Sequence, residues 1–245
     1  FESVLDISWR KTDSPLTHLG RLREYDETSW WRPVFIDLIA RSGFLKGLRQ
    51  HVIDPLIYSR PEVVRRNWEN SYDLRDFGFI NNPDSTLAMR EYFVPLDKFE
   101  VFVMKLRDVF IRHDVDVLNI SVRYTPRDDS SILAWAKTDT FSFIVVYRQG
   151  KDENSIAKVD VWSQELLKGA IDSMGSYYLP FQNHASQDQF LKAYPNVGQF
   201  LALKKKADPN HRFNNMFWAK YDNSAAGEGN KNDVSLKTLS SHSLN

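Results

Sequence analysis

The stretch Thr86–Pro95, T-L-A-M-R-E-Y-F-V-P, and the run Leu96–Arg112 that follows it decide the fold. The first is β-branched and aromatic and is closed by a proline, which reads as a strand. In the second, Phe99, Phe102, Val103, Leu106, Val109 and Phe110 recur at helical spacing and form one apolar face. Downstream, Asp116–Tyr124, D-V-L-N-I-S-V-R-Y, alternates apolar and polar residues as a half-buried strand does. Beyond a loop at Pro126–Ser131 and the segment Ile132–Lys137, Phe141–Arg148, F-S-F-I-V-V-Y-R, is another strand. Asp152–Ser173 is then a long amphipathic helix with Ile156, Val159, Trp162, Leu166, Leu167 and Ala170 inward, and Gly175 is its expected stop. Tyr177–Pro180 is a short last strand. The order strand, helix, strand, strand, helix, strand predicts a split β-α-β arrangement. The fold class is α+β, an antiparallel sheet covered by helices on one face.

Outside this block the chain is less regular. Val4–Trp9 alternates and predicts a strand. Trp30–Tyr58 is dense in apolar residues, with Phe35, Leu38, Ile39, Leu45, Leu48 and Val52 at helical spacing and Gly43 as the expected break. Its interspersed Arg32, Asp37, Arg41, Lys46 and Arg49 favour core helices or a docking surface over a membrane-surface contact. A short helix is expected after Pro61, and Asn81-Asn82-Pro83-Asp84 is a turn by its chemistry. Ser186–Tyr194 and Val197–Lys206 are helices flanking Pro195, and the Ser-, Asn-, Gly- and Lys-rich tail after Tyr221 is expected to be loose.

The whole chain has 245 residues, with 32 Lys+Arg against 32 Asp+Glu. A balanced charge argues against a dedicated nucleic-acid binder. No apolar run approaches the roughly 20 residues of a membrane span. Absence of cysteine excludes disulfides, thiolate metal sites and a cysteine nucleophile. The six histidines never pair at helical ligand spacing, so no metal site is expected. No G-x-S-x-G elbow supports serine nucleophile chemistry. Only 10 glycines occur and no two are adjacent. The clustered glycines that let backbone N–H groups cradle a phosphate are therefore missing.

Polar residues inside the expected strands are the first candidates for chemistry. Glu91, Arg123 and Ser142 each interrupt a different strand, and alternation lets a sheet gather one such residue per strand on a single face. The same residues also read as an ordinary solvated face with a surface Glu–Arg pair. A second cluster is Tyr177–Ser186, Y-Y-L-P-F-Q-N-H-A-S, with two phenols, two carboxamides and an imidazole between a strand and a helix start. Such groups orient ligands and move protons. Equally, Ser186 can simply cap the next helix and His184 can be a satisfied loop histidine.

The run Gly175–Tyr221 adds a resemblance. G-S-Y-Y-L-P-F-Q-N-H-A-S, then Ala193-Tyr194-Pro195, then Lys204 through Asp208-Pro209 to Phe213 resembles the carboxyl end of FAD-linked oxidases of the vanillyl-alcohol-oxidase superfamily. The branch it is most similar to contains aldonolactone oxidases, decaprenylphosphoryl-ribose oxidase and the delta-24 sterol reductase type. Glu91-Tyr92-Phe93-Val94-Pro95 followed by a helix also resembles that family's substrate-domain strand.

The resemblance covers Thr86–Tyr221. It implies a cap domain that covers a flavin held mainly by a Gly-rich amino-terminal domain, absent here or on a partner chain. It divides the chain into residues 1–85, a strand plus a helical docking segment; 86–185, the cap sheet; 186–221, carboxyl-terminal helices; and 222–245, the tail. It implies a small-molecule substrate and hydride transfer between a hydroxylated, sugar- or lactone-like compound and FAD. Glu91, His184 and Tyr178 would be catalytic; Arg123, Ser142, Ile144, Phe181 and Gln182 would face substrate; Tyr178, Asn214 and Asn215 would approach the cofactor. Phe181 stands where the ribose-oxidase relatives have a functional lysine, which argues against a shared substrate. The start at Phe1 fits an interior portion of a longer polypeptide. A cytoplasmic location is expected, with peripheral membrane contact as the alternative. The alternative to an enzyme is a non-catalytic α+β binding module that keeps the cap fold.

Overall fold

In the computed structural model, residues 6–22, 38–39, 42–71 and 83–221 are described. Strand β1, Ser85–Pro95, leads through a 3-10 turn at Leu96–Lys98 into a helix, Phe99–Arg112. Strands β2, Val117–Thr125, and β3, Thr140–Gly150, follow, then a long helix, Glu153–Asp172, and the two-residue β4, Ser176–Tyr177. The sheet order is β2-β3-β1-β4, antiparallel throughout.

Among the described residues before β1, Leu38–Ile39 is helical, and α1, Gly43–Leu48, continues through a π-helical turn at Arg49–Ile53 into α2, Asp54–Ile57, followed by α3, Arg66–Asn70. The two long helices are α4 and α5, and three more follow β4: α6, Gln187–Ala193, α7, Val197–Ala207, and α8, Met216–Tyr221. This is the α+β architecture that the strand-helix order predicts.

Alternation places Arg90, Tyr92 and Val94 of β1 and Phe143, Val145 and Tyr147 of β3 on the side facing the helices. There they meet Phe102, Leu106, Val109 and Phe110 of α4 and Val159, Trp162, Leu166 and Ala170 of α5, all buried. The aromatic rings interlock edge to face, Phe102 with Phe143 at 5.1 Å and Tyr147 with Trp162 at 4.8 Å between centroids. Edge-to-face packing aligns the positive ring edge with the negative ring face and fixes the depth of the layer.

Both long helices end in the same device. At the end of α4, Val115 N–H donates to Phe110 O and Asp114 N–H to Ile111 O, with Asp114 at φ +49°. At the end of α5, Gly175 N–H donates to Ala170 O and Met174 N–H to Ile171 O, with Met174 at φ +59°. These are Schellman stops. Gly175 is thus not the left-handed residue that its expected role as a stop implies. Its glycine is needed because a Cβ there would run into Phe93 O and lie 2.8 Å from Ala170 O.

Some expectations fall differently. Asp6–Trp9 has no strand partner among the described residues and is irregular, leaving Ile7 and Trp9 exposed, while Val4 and Leu5 lie outside the described residues. The predicted Tyr177–Pro180 strand pairs regularly only at Ser176–Tyr177, although Tyr178 N–H still donates to Glu91 O at 3.0 Å. The break expected at Gly43 is found there: Leu38–Ile39 is helical, Ser42 is not, and Gly43 opens α1, which Ser42 caps by accepting from Leu45 N–H. The helix after Pro61 is α3. Phe35, the Asn81-Asn82 half of the turn and the tail after Tyr221 lie outside the described residues.

Candidate functional site on the sheet face opposite the helices

The cross-strand register decides which side chains share the face away from α4 and α5. Glu91 of β1 is opposite Ile144 of β3, Phe93 is opposite Ser142, and Ser142 is opposite Arg123 of β2. Cross-strand partners lie on the same side of a sheet. Glu91, Arg123, Ser142 and Ile144 therefore come together on one face. Ser142 is buried, Glu91 and Ile144 are half-buried, and Arg123 is exposed at the β2 end. Ser142 Oγ donates a short hydrogen bond to Glu91 Oε1. That bond holds the carboxylate across two strands and leaves its second oxygen uncommitted to Ser142.

The loop joining β2 to β3 builds a wall beside this pair. Asp128 organises the loop by accepting from Ser130 N–H at 2.8 Å and Ser131 N–H at 3.2 Å; hydrogen bonds from the Ser131 and Ser130 hydroxyls first, and then these backbone bonds, hold its carboxyl well below the usual range. The far end is pinned where Ser176 Oγ donates to Trp135 O and Lys137 Nζ to Gly175 O. Trp135 then stacks on Phe93 at 5.9 Å and meets Tyr178 edge to face at 5.2 Å, and Tyr178 meets Phe181 at 4.9 Å. Tyr178 reaches this side because its neighbour Tyr177 pairs with Tyr92, which faces the helices. An ionisable couple beside a half-exposed aromatic wall can bind a flat ring system and take a proton from a polar substrate.

His184 and Gln182 belong elsewhere. Arg90 on the helix side of β1 donates from Nη1 to Gln182 O at 2.9 Å and from Nη2 to Gln182 Oε1 at 2.6 Å. His184 Nε2 lies 3.1 Å from that same Oε1, and its Nδ1 lies 2.6 Å from Asp160 on α5. Burial and then the Arg90 charge push the imidazole below its ordinary value, while Asp160 acts in the opposite direction. The structure thus separates the two expected bases onto opposite sides of the sheet. Gln182 is engaged with Arg90 and His184, not with the open face.

Asn214 and Asn215 stand at the start of α8. Asn215 caps α8 by accepting from Trp218 N–H at 3.0 Å, and α8 packs through Phe217 and Tyr221 on Phe190 of α6. The motifs of the carboxyl end have structural tasks. Tyr194 Oη donates to Tyr177 O and clamps β4 to the helices. Asp208 pairs with Lys204 and accepts from Arg212 N–H and Phe213 N–H, with the Lys204 bond foremost in holding its pKa at about 2.

Three residues of the region escape sequence reasoning. Arg90 sits between Ala88 and Tyr92 on the buried parity of β1, so alternation alone marks it as a charge in the core. Trp135 lies in a loop, where ring contacts have no periodic signature. Asp160 sits in α5 among several exposed charges, and nothing in its spacing sets it apart. Among the described residues no group of His, Asp or Glu is arranged to hold a metal ion.

The fold is thus a split antiparallel sheet with helices on one side and a polar, aromatic-walled face on the other. The sequence model of the D-arabinono-1,4-lactone oxidase family matches residues 62–221, more than half of the chain, and the chain belongs to that family. It is an oxidoreductase family within the vanillyl-alcohol-oxidase superfamily. A comparison with curated proteins returned no match.

Proposed function

We propose that the chain is the substrate-facing and carboxyl-terminal part of an FAD-dependent oxidoreductase acting on a hydroxylated, sugar- or lactone-like substrate. The observation that carries this is the Glu91–Ser142 couple with Arg123 on the face bounded by Tyr178, Trp135 and Phe93. The aromatic rings fit one side of a flat isoalloxazine. The residues present do not fit its pyrophosphate, because the ten glycines nowhere cluster into a phosphate-binding loop. FAD is accordingly held in the main by another segment or chain. The exposed apolar residues Phe44, Leu48, Val52 and Leu56 of the α1–α2 region give that segment a surface to dock on. Lys46 fixes this region to the sheet edge through Asp116 at 2.9 Å, and Arg148 holds the same carboxylate at 3.2 Å.

When bound, FAD supplies the two-electron acceptor for a hydride leaving a substrate C–H bond. Glu91 takes the proton of the hydroxyl on the same carbon through its free oxygen, with Ser142 fixing the carboxylate's orientation. Arg123 binds a polar substrate group or the oxyanion that develops as the proton leaves. Tyr178 and Phe181 exclude water from one side of the reacting carbon. His184 positions the 181–184 turn beneath this face and does not act as the base.

The test uses the full-length flavoprotein, reduced anaerobically with a panel of aldonolactones and free sugars. Flavin bleaching by at least one of them is expected. An Arg123→Met variant should raise KM by roughly tenfold or more, the loss of one charged hydrogen bond. A flavoprotein that none of these compounds reduces, or a variant with unchanged KM, contradicts the reading.

A further inference from the structure

Between β1, α5 and the segment Tyr177–Gln182 lies a small cavity with room for one water-sized body, bordered by Tyr178 and Phe181 as well as by side chains of the helix-facing side of the sheet. Arg90, Tyr92 and Ser163 line it. Arg90 Nε, Tyr92 Oη and Ser163 Oγ, and the Oη of Tyr177, which also lines the cavity, are buried and have no hydrogen-bond partner among the described residues. Buried donors are paired in almost every folded protein, and four unpaired ones on residues around one cavity mark a ligand position.

Charge identifies the ligand. Arg90 is 5% exposed, yet its guanidinium meets only neutral groups: Gln182 O, Gln182 Oε1 and the Tyr147 phenol. Among the described residues no carboxylate forms an ion pair with it. Glu91, which also borders the cavity, turns its carboxylate to the opposite face and Ser142. Asp160 faces His184 instead. Burial keeps the Tyr92 phenol far above its ordinary value, so it remains an O–H donor, and His184 is pushed toward its neutral form. A buried charge without a counter-charge is strongly unfavourable. A single water molecule accepts only two hydrogen bonds and would leave the guanidinium charge uncompensated.

We propose that this cavity binds a single small inorganic anion of the chloride class, held by Arg90 Nε–H and the hydroxyls of Ser163 and Tyr92. The anion stabilises the packing of α5 on β1 independently of flavin or substrate. The other polar resident such a cavity can hold is a water molecule, and the experiment separates the two.

Crystals of the full chain grown with bromide replacing chloride should show an anomalous peak within hydrogen-bonding distance of Arg90 Nε. A feature there without anomalous signal, refining as water, overturns the proposal. In solution, thermal unfolding in chloride and in gluconate at matched ionic strength should give a higher midpoint in chloride, saturating with concentration. Ser163→Ala deletes one donor at little risk to folding and should raise the half-saturating chloride concentration about tenfold. Equal midpoints in the two salts, or a Ser163→Ala variant with unaltered chloride dependence, also overturn it.

Discussion

Replacing Gly175 with alanine perturbs the junction that delivers Tyr178 to the proposed site. An added Cβ would penetrate Phe93 O and stand 2.8 Å from Ala170 O, where ordinary contact begins at 3.4 Å. Neither obstacle is a side chain that can swing aside. Ala170 O is held by Gly175 N–H in the Schellman stop, and Phe93 lies in β1 opposite Ser176 of β4. Relief requires β4 to move off β1, weakening the Gly175–Ala170 bond at 2.8 Å and the Tyr178–Glu91 bond at 3.0 Å. Each bond contributes ~1 kcal/mol, and residual overpacking adds ~1 kcal/mol or more. The expected loss is about 3 kcal/mol, or roughly 6–12 °C in Tm for a domain of this size. Differential scanning calorimetry of Gly175→Ala measures it. Gly198→Ala is the control, since a Cβ there meets nothing within 4 Å, and its Tm should hold or rise. A Gly175→Ala midpoint within about 1 °C of the wild type refutes the close-approach argument.

Other expectations follow from single contacts. Ser186 and Gln189 form a reciprocal capping box at the start of α6; Ser186→Ala should cost about 1 kcal/mol by urea denaturation, and no change removes the cap's role. His184 has a lowered pKa when folded, so the unfolded chain binds more protons below the ordinary value near 6.5. Its contribution is therefore present above that pH and lost as pH falls toward the folded pKa; wild-type stability should drop between pH 7.5 and 5.5 more than that of His184→Asn. Glu165 is lowered chiefly by its bond to His113, then by Arg112. Its contribution is present above the usual carboxylate range and lost on acidification, so Glu165→Gln should flatten the acid limb of a denaturation series; an unchanged limb contradicts the pairing.

The sheet and its two long helices were readable because each element carries one unbroken period. Phe102, Leu106, Val109 and Phe110 repeat along α4, and Asn119, Ser121 and Arg123 alternate with Ile120, Val122 and Tyr124 in β2. Alternation also brought Glu91, Arg123, Ser142 and Ile144 to one face, since parity along a strand survives folding. Parity misled where the described residues offer no partner strand, as at Asp6–Trp9. It was silent where the chain leaves regular structure, so the Trp135 wall and the Arg90–Gln182–His184–Asp160 chain emerged only in three dimensions. His184 and Glu91 are near in kind but not in space, because Tyr177 and Tyr178 turn to opposite sides of the sheet. The motifs that carried the family resemblance, around Tyr194 and Asp208, hold the fold.

The central claim is that Glu91 is the proton acceptor on the substrate face. Anaerobic stopped-flow reduction of the full-length flavoprotein, followed at the flavin absorbance with a reducing lactone or sugar, tests it directly. Glu91→Gln should slow the single-turnover rate by roughly 100-fold or more, while His184→Asn changes it little. A Glu91→Gln enzyme whose flavin is reduced at the wild-type rate contradicts the account.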